Sequence, residues 1–314
     1  MIIKHKDFAG TFLKGKEVGG MYIDRWLKEN LDGIPPFLKK SWDVVGIVSG
    51  HGKVRIGKST MALQIAYYIA WILAGGQVIA DEDGKVIKII QPTKEINFDL
   101  DHVVFSPDEL MATAQKLPRG SVIVYDEGRA GLDSARAMES INKGMQDFFQ
   151  ECGVLGHVII IVLPSFFKLH EDFAIARSLF LVDVYADKKF NRGSFHFYNE
   201  NQKEWLYYLG KKKIGIRAKY SAAHSSFTGS FSSWMNLDRD AYDKKKREAI
   251  KKKRETRLQK KFKKQRDAAI YLAKRHSGYT HEDLGRELSA LSNSKVTAQV
   301  IKYALASITH ESFD

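Results

Sequence analysis

The chain has 314 residues, 44% of them hydrophobic, enough for one α/β domain of about 200 residues with a buried core and a small appendage. Its formal net charge of +13 calls for an anionic partner, while a single cysteine, Cys152, excludes an internal disulfide and a cysteine-rich zinc site. Residues 1–7 lack the apolar stretch of a secretion signal, and the most apolar run, 65–74, is shorter than the roughly 20 residues of a membrane span, so neither export nor a span is expected.

Residues 1–42 carry Gly10, Gly15, Gly19, Gly20, Pro35 and Pro36 and read as an irregular lead-in with one short helix over 22–29. A buried strand follows over 44–48. Then Gly52-Lys53-Val54-Arg55-Ile56-Gly57-Lys58-Ser59 runs into Thr60 and a helix over 61–73. Strand, glycine loop and helix in that order make the phosphate-binding Walker A arrangement. The glycines let successive N–H groups point inward at phosphate oxygens, and the positive end of the helix adds to the attraction. Residues 52–60 are therefore the expected nucleotide-binding set, with Lys58 reaching the β- and γ-phosphates and Ser59 ligating Mg²⁺.

A hairpin is predicted over 77–91 around the acidic turn 81–84, then a strand over 102–105 and a helix capped by Ser106 with Pro107 in its first position. The next apolar strand ends in Asp126-Glu127, the Walker B pattern. Neighbouring side chains at a strand end point in different directions, so Asp126 can hold the Mg²⁺ shell while Glu127 orients the attacking water. A helix is predicted over 134–152, with Cys152 as a small core residue at its end, and a strand over 157–163 that ends at Pro164-Ser165. Ser165 is the candidate γ-phosphate sensor; its alternative role is a turn or capping hydroxyl. The one Asn-Lys pair, Asn142-Lys143, lacks the Asp of a guanine-reading motif, so ATP is the expected nucleotide.

A fifth strand is predicted over 179–185, and Arg177 just before it is the candidate arginine finger acting on a neighbouring subunit, with Arg129 and Arg136 behind it. Five short apolar strands separated by helices predict a mostly parallel sheet covered on both faces, with nucleotide beyond the carboxyl ends of the strands. Residues 194–198 and 205–209 alternate in polarity around Asn199-Glu200-Asn201 and predict a second hairpin, and 221–236 shows no clear period.

Between Lys244 and Arg266 fourteen Lys and Arg face only Glu248 and Glu255, so this segment holds a local +12 of the whole charge. Neither Pro nor Gly interrupts it, which predicts a helical arm able to track phosphates, the alternatives being a solvated charged face and an anionic membrane surface. From Ala268 three helices are expected: 268–274, one capped by Thr280 with Asp283 three residues on, and 293–306. Leu272, Leu284, Leu288, Val296, Val300, Ile301 and Leu305 would form their core. The pattern reads as a helix-turn-helix with Asn293, Ser294, Lys295, Thr297 and Gln299 opening the recognition helix, the alternative being a bundle for protein contacts. The implied divisions are 1–42, an ATPase domain over 43–236, a basic linker over 237–267, and a DNA-binding domain over 268–314.

The motif order 52–59, 122–127, 159–165 and Arg177 resembles the ASCE division of P-loop ATPases. Within it, the likeness is to the FtsK/HerA superfamily of DNA pumps and to virus- and plasmid-encoded zonula-occludens-toxin-like ATPases, over about residues 40–185. The resemblance implies a RecA-like α/β core with a mostly parallel five-stranded sheet, ATP and Mg²⁺ as cofactors, and catalytic roles for Lys58, Glu127, Ser165 and Arg177. It further implies a homo-oligomer, with a hexameric ring as one form, working on DNA beside a viral portal or replication partner in the cytoplasm, the host's if the source is viral. Many toxin-like phage proteins carry a membrane span absent here, and many FtsK/HerA members place Gln at the position of Ser165. A DNA translocase or packaging motor of a virus or mobile element is the leading expectation. A replicative helicase and an ATP-controlled DNA-binding assembly switch are the alternatives.

Overall fold

The computed structural model describes residues 2–3, 12–13, 16–17, 22–50, 55–81, 86–126, 148, 155–186, 191–211, 219–292 and 295–311. They fall into two compact units, Met1–Arg247 and Glu248–Asp314. Among the described residues no helix is long and apolar enough to cross a membrane.

The first unit opens with β1 (Ile2–Ile3), β2 (Phe12–Leu13), β3 (Lys16–Glu17) and β4 (Ile23–Asp24), which pair as β1 with β4 and β2 with β3. Asp24 caps α1 (Arg25–Asp32) by accepting from the backbone N–H of Trp26 and Leu27, and Pro35 starts α2 (Pro35–Lys39). Leu27 and Leu31 are buried on the inner face of α1, which packs on α3 (Lys58–Leu73), and Tyr68 of α3 donates to Asp32 at 2.6 Å. Nearly every residue of α3 from Met61 to Trp71 is buried, which explains why its sequence is apolar all round rather than amphipathic.

The core of this unit is a seven-stranded sheet in the order β13-β12-β11-β5-β10-β9-β8. Its strands are β5 (Val44–Ser49), β8 (Val103–Val104), β9 (Val122–Asp126), β10 (Val158–Val162), β11 (Phe180–Tyr185), β12 (Ser194–Tyr198) and β13 (Phe227–Ser230). The expected hairpin, β6 (Gln77–Ala80) with β7 (Val86–Ile90), forms its own two-stranded sheet. Strands β8 to β11 and β5 are mutually parallel, and β12 and β13 add an antiparallel edge. The sheet therefore has seven strands where five were expected. The two extra ones are β12, which is the segment 194–198 expected as a hairpin strand, and β13, in the segment without a clear period; their aromatics Phe195, Phe197 and Phe227 pack together, with Phe197 also stacked on Phe180. Gly46 in β5 is required by a close approach, since a Cβ there would stand 2.3 Å from the Phe180 ring.

Residues 205–209 are not a strand. They belong to α5 (Glu200–Gly210), capped by Asn199, whose side chain accepts from Gln202 N–H. Lys203, Leu206, Tyr207 and Gly210 are its buried residues, a helical spacing that the short alternation of 205–209 concealed. With α4 (Pro107–Lys116), capped by Ser106 as expected, α5 covers the sheet face opposite α3, over a core that includes Leu110, Ile123, Ile159, Phe166 and Tyr207. Helix 134–152 and Cys152 lie outside the described residues apart from the buried Phe148.

The basic segment belongs to one continuous helix, α6 (Arg239–Ser277), which runs on past the expected break at 268. In the second unit α7 (His281–Ser292) and α8 (Ala298–Glu311) follow, and Thr280 and Asp283 cap α7 reciprocally. Ile270, Leu284, Ile301 and Ala304 make its buried core, with Ala273, Leu288, Val296 and Leu305 packed on it. Leu272, expected inside, is 54% exposed, because Ile270 and Ala273 occupy the inward face of this helical turn instead. The last helix begins at Ala298 rather than at 293, so Lys295 and Thr297 precede it, and Asn293 and Ser294 lie outside the described residues.

Candidate nucleotide and metal site

Strands β5 and β9 flank β10, with Val48 and Asp126 both level with Val162. Two inter-strand spacings separate them, roughly 10 Å, which is room for a phosphate chain beyond the carboxyl ends of the strands. The chain leaves β5 through Gly50, where a Cβ would stand 2.6 Å from the Val184 carbonyl oxygen, and re-enters the described structure at Arg55. Arg55 and Gly57 have φ of 59° and 99°, the left-handed turns that curl the loop into α3. A Cβ on Gly57 would also meet the Phe231 ring at 2.9 Å. Arg55, Ile56, Gly57, Lys58, Ser59 and Thr60 are thus placed at the start of α3, whereas Gly52, Lys53 and Val54 lie outside the described residues.

Asp126, at the end of β9, is 2% exposed. Glu127 lies outside the described residues. The Asp126 Oδ2 atom accepts a short hydrogen bond from the Tyr242 hydroxyl and an ion pair from Lys246 Nζ at 2.9 Å. The same ammonium is 3.2 Å from Ser59 Oγ. The two side chains expected to ligate Mg²⁺ therefore converge on one cation. Among the described residues no group of three or more His, Cys, Asp or Glu could hold a metal by itself. Mg²⁺ needs none, since it keeps several waters and binds through one or two protein oxygens plus substrate phosphates. Two hard oxygens already holding a cation fit it.

Tyr242 and Lys246 are one helical turn apart on α6, on the same face. A strap delivers them: Gln64 of α3 donates to the carbonyls of Ser232 and Trp234 at 2.8 and 2.7 Å, and Trp234 packs edge-on against Tyr67. Lys245 Nζ donates to the Leu100 carbonyl at 2.7 Å, and the Tyr242 ring packs at 6.0 Å from Phe105. Burial, then the negative charge of Asp126, drives the Tyr242 phenol far above the usual tyrosine range, so it remains a donor. Burial also lowers the Lys58 pKa, against which Asp126 and then Asp183 pull upward.

Ser165 lies at the start of a short turn after β10 and bonds the hydroxyl of Tyr220. That hydroxyl also accepts from Phe166 N–H at 2.8 Å and lies 3.2 Å from Ser49 Oγ at the end of β5. Ser165 is thereby tied through Tyr220 to the end of β5. Burial and the nearby Asp183 push the Tyr220 pKa up to about 12. Arg177 is exposed at the end of a π-helical segment, Asp172–Arg177, just before β11. Leu179 N–H bonds the Val45 carbonyl, so Arg177 is at the amino end of the sheet, opposite the end at which α3 starts. Lys203 of α5 holds this connection by donating to the carbonyls of Ile175 and Ser178 and to Ser178 Oγ at 2.7 Å.

Tyr242, Lys246 and Tyr220 were not among the expected site residues. Lys246 is hidden in a charge run that reads as a whole as a phosphate-tracking arm or a solvated face, with nothing to single out one lysine. The available signal was Tyr242, an aromatic four residues before Lys246 at the start of a strongly polar helix.

No family model and no curated protein matches the chain. Among solved structures it is similar to the N-terminal domain of zonular occludens toxin from Neisseria meningitidis, at 14% identity and a TM-score of 0.30, covering 64% of this chain and 98% of that one.

Proposed function

We propose that the protein is a Mg²⁺-dependent ATPase of the P-loop, RecA-like kind that drives movement of DNA in a virus or mobile element. The observation that carries the ATPase reading is the convergence of Ser59 Oγ and Asp126 Oδ2 on one cation at the start of α3. Mg²⁺, when bound, would offset the negative charge of the phosphates. Ser59 and Asp126 would hold it, Lys58 would neutralise the β- and γ-phosphates, and Glu127 would accept the proton of the attacking water. Ser165, through Tyr220, would report the state of the γ-phosphate to β5. Arg177, exposed at the amino end of the sheet, would act on a neighbouring subunit's nucleotide, which requires a ring or another homo-oligomer.

DNA is the proposed partner because α6 displays Lys251, Lys252, Lys263 and Arg266 to solvent, and each phosphate they neutralise releases condensed counterions. The helices α7 and α8 would supply a helix-turn-helix. The test is ATP turnover with single-stranded, duplex and forked DNA, with sizing in a nonhydrolysable ATP analogue. A motor is stimulated steeply by long duplex, a helicase by forks, and an assembly switch turns over slowly and changes size. No stimulation and no assembly would reject all three.

A further inference from the structure

We infer that Lys246 is a built-in competitor for the metal: its ammonium fills the Mg²⁺ position in the nucleotide-free protein and must leave before the metal can bind. The inference rests on the ATPase reading above. Lys246 Nζ is 2.9 Å from Asp126 Oδ2 and 3.2 Å from Ser59 Oγ. A Mg²⁺ ion held by those two oxygens at about 2.1 Å would lie no more than about 5 Å from that nitrogen, and like charges at such range in a buried site repel strongly. The two cations compete for the same two oxygens.

The local geometry states which group moves. Asp126 is almost fully buried, and a carboxylate so placed needs a positive partner at all times. Lys246 supplies it when the metal is absent, and the metal supplies it afterwards. The Tyr242 hydroxyl bonds the same Oδ2 atom from a ring that is 4% exposed and packed on Phe105, so it has no path out. The Lys246 side chain is 24% exposed and carries a flexible stem, so it can swing to solvent or toward phosphate while α6 keeps its place. Tyr242 thus continues to orient the carboxylate in both states, and only the ammonium exchanges.

The experiment measures Mn²⁺ binding by electron paramagnetic resonance in the full chain with ATP present, comparing wild type with Lys246→Met. Methionine keeps much of the stem and removes the charge. Loss of the competitor should tighten Mn²⁺ binding about tenfold, as expected when a competing state is removed. Equal or weaker binding by Lys246→Met would overturn the inference, weaker binding marking Lys246 as a phosphate ligand instead. A second measurement needs no substitution: acetylation of Lys246, followed by mass spectrometry, should accelerate severalfold in wild type when Mg²⁺ and a nonhydrolysable ATP analogue are added. An unchanged rate would overturn it independently. If neither protein binds Mn²⁺ with ATP, the ATPase reading fails and the competitor role falls with it.

Discussion

Tyr242 and Asp126 are 116 residues apart in the chain, yet the tyrosine hydroxyl donates directly to the buried carboxylate at the end of β9. The first turns of the basic helix are therefore part of the first compact unit, not of an arm beyond it.

Replacing Tyr242 by Phe removes one donor from a buried, charged acceptor and leaves Lys246 as its remaining α6 partner. The expected loss is about 1.5–3 kcal/mol of stability, the range for hydrogen bonds to charged groups. Urea denaturation in EDTA measures it. A variant as stable as wild type would show that the hydroxyl is not needed there.

Lys203 is buried and its pKa is pushed down to about 8 by that burial. Between about pH 8 and the ordinary lysine value near 10.4, the unfolded chain keeps this proton while the folded one sheds it. Deprotonation there favours folding, so this residue's contribution to stability rises with pH across that window and is flat below it. Lys203→Met should destabilise the protein by about 2–4 kcal/mol at pH 7, because the Ile175 and Ser178 carbonyls lose their donor. The gap to wild type should widen from pH 8 to 10. A constant gap would assign Lys203 its ordinary pKa.

Glu127→Gln should bind Mg²⁺·ATP like wild type while hydrolysis falls by about a hundredfold or more, since only the group acting on water is changed. Single-turnover assays separate binding from chemistry. Hydrolysis at the wild-type rate would shift the role to another carboxylate, with Asp183, fully buried beside the phosphate-loop strand, next to test.

A cut after Ala241 would strip Asp126 of Tyr242 and Lys246, so the DNA-binding test needs its boundary after Arg247, where the compact unit ends. That truncation should leave a folded nucleotide-binding unit and lower the salt slope of DNA affinity by about one unit per lost phosphate contact. An unchanged slope would locate DNA binding in residues 1–247.

The parallel strands were legible because buried strands read as continuous apolar runs: residues 44–48, 121–127 and 157–163 each fell within two residues of the observed bounds. The caps at Ser106 and Thr280 were legible for the same local reason. The edge strand Phe227–Ser230 and helix α5 were not, since the strand is short and aromatic and the helix shows its buried spacing only over its full length. Lys246 was illegible for a different reason. Its pairing partners are 120 and 187 residues away, and its sequence neighbours are all charged in the manner of a solvated face.

The central claim is that residues 55–60 and Asp126 form a Mg²⁺·ATP site, and calorimetric titration of Mg²⁺·ATP into the full chain and into Lys58→Ala and Asp126→Asn tests it most directly. The wild-type chain should show saturable 1:1 binding, Lys58→Ala a loss of at least about tenfold, and Asp126→Asn Mg²⁺-independent residual ATP binding. Affinities equal to wild type in both variants, with all three proteins folded, would contradict it.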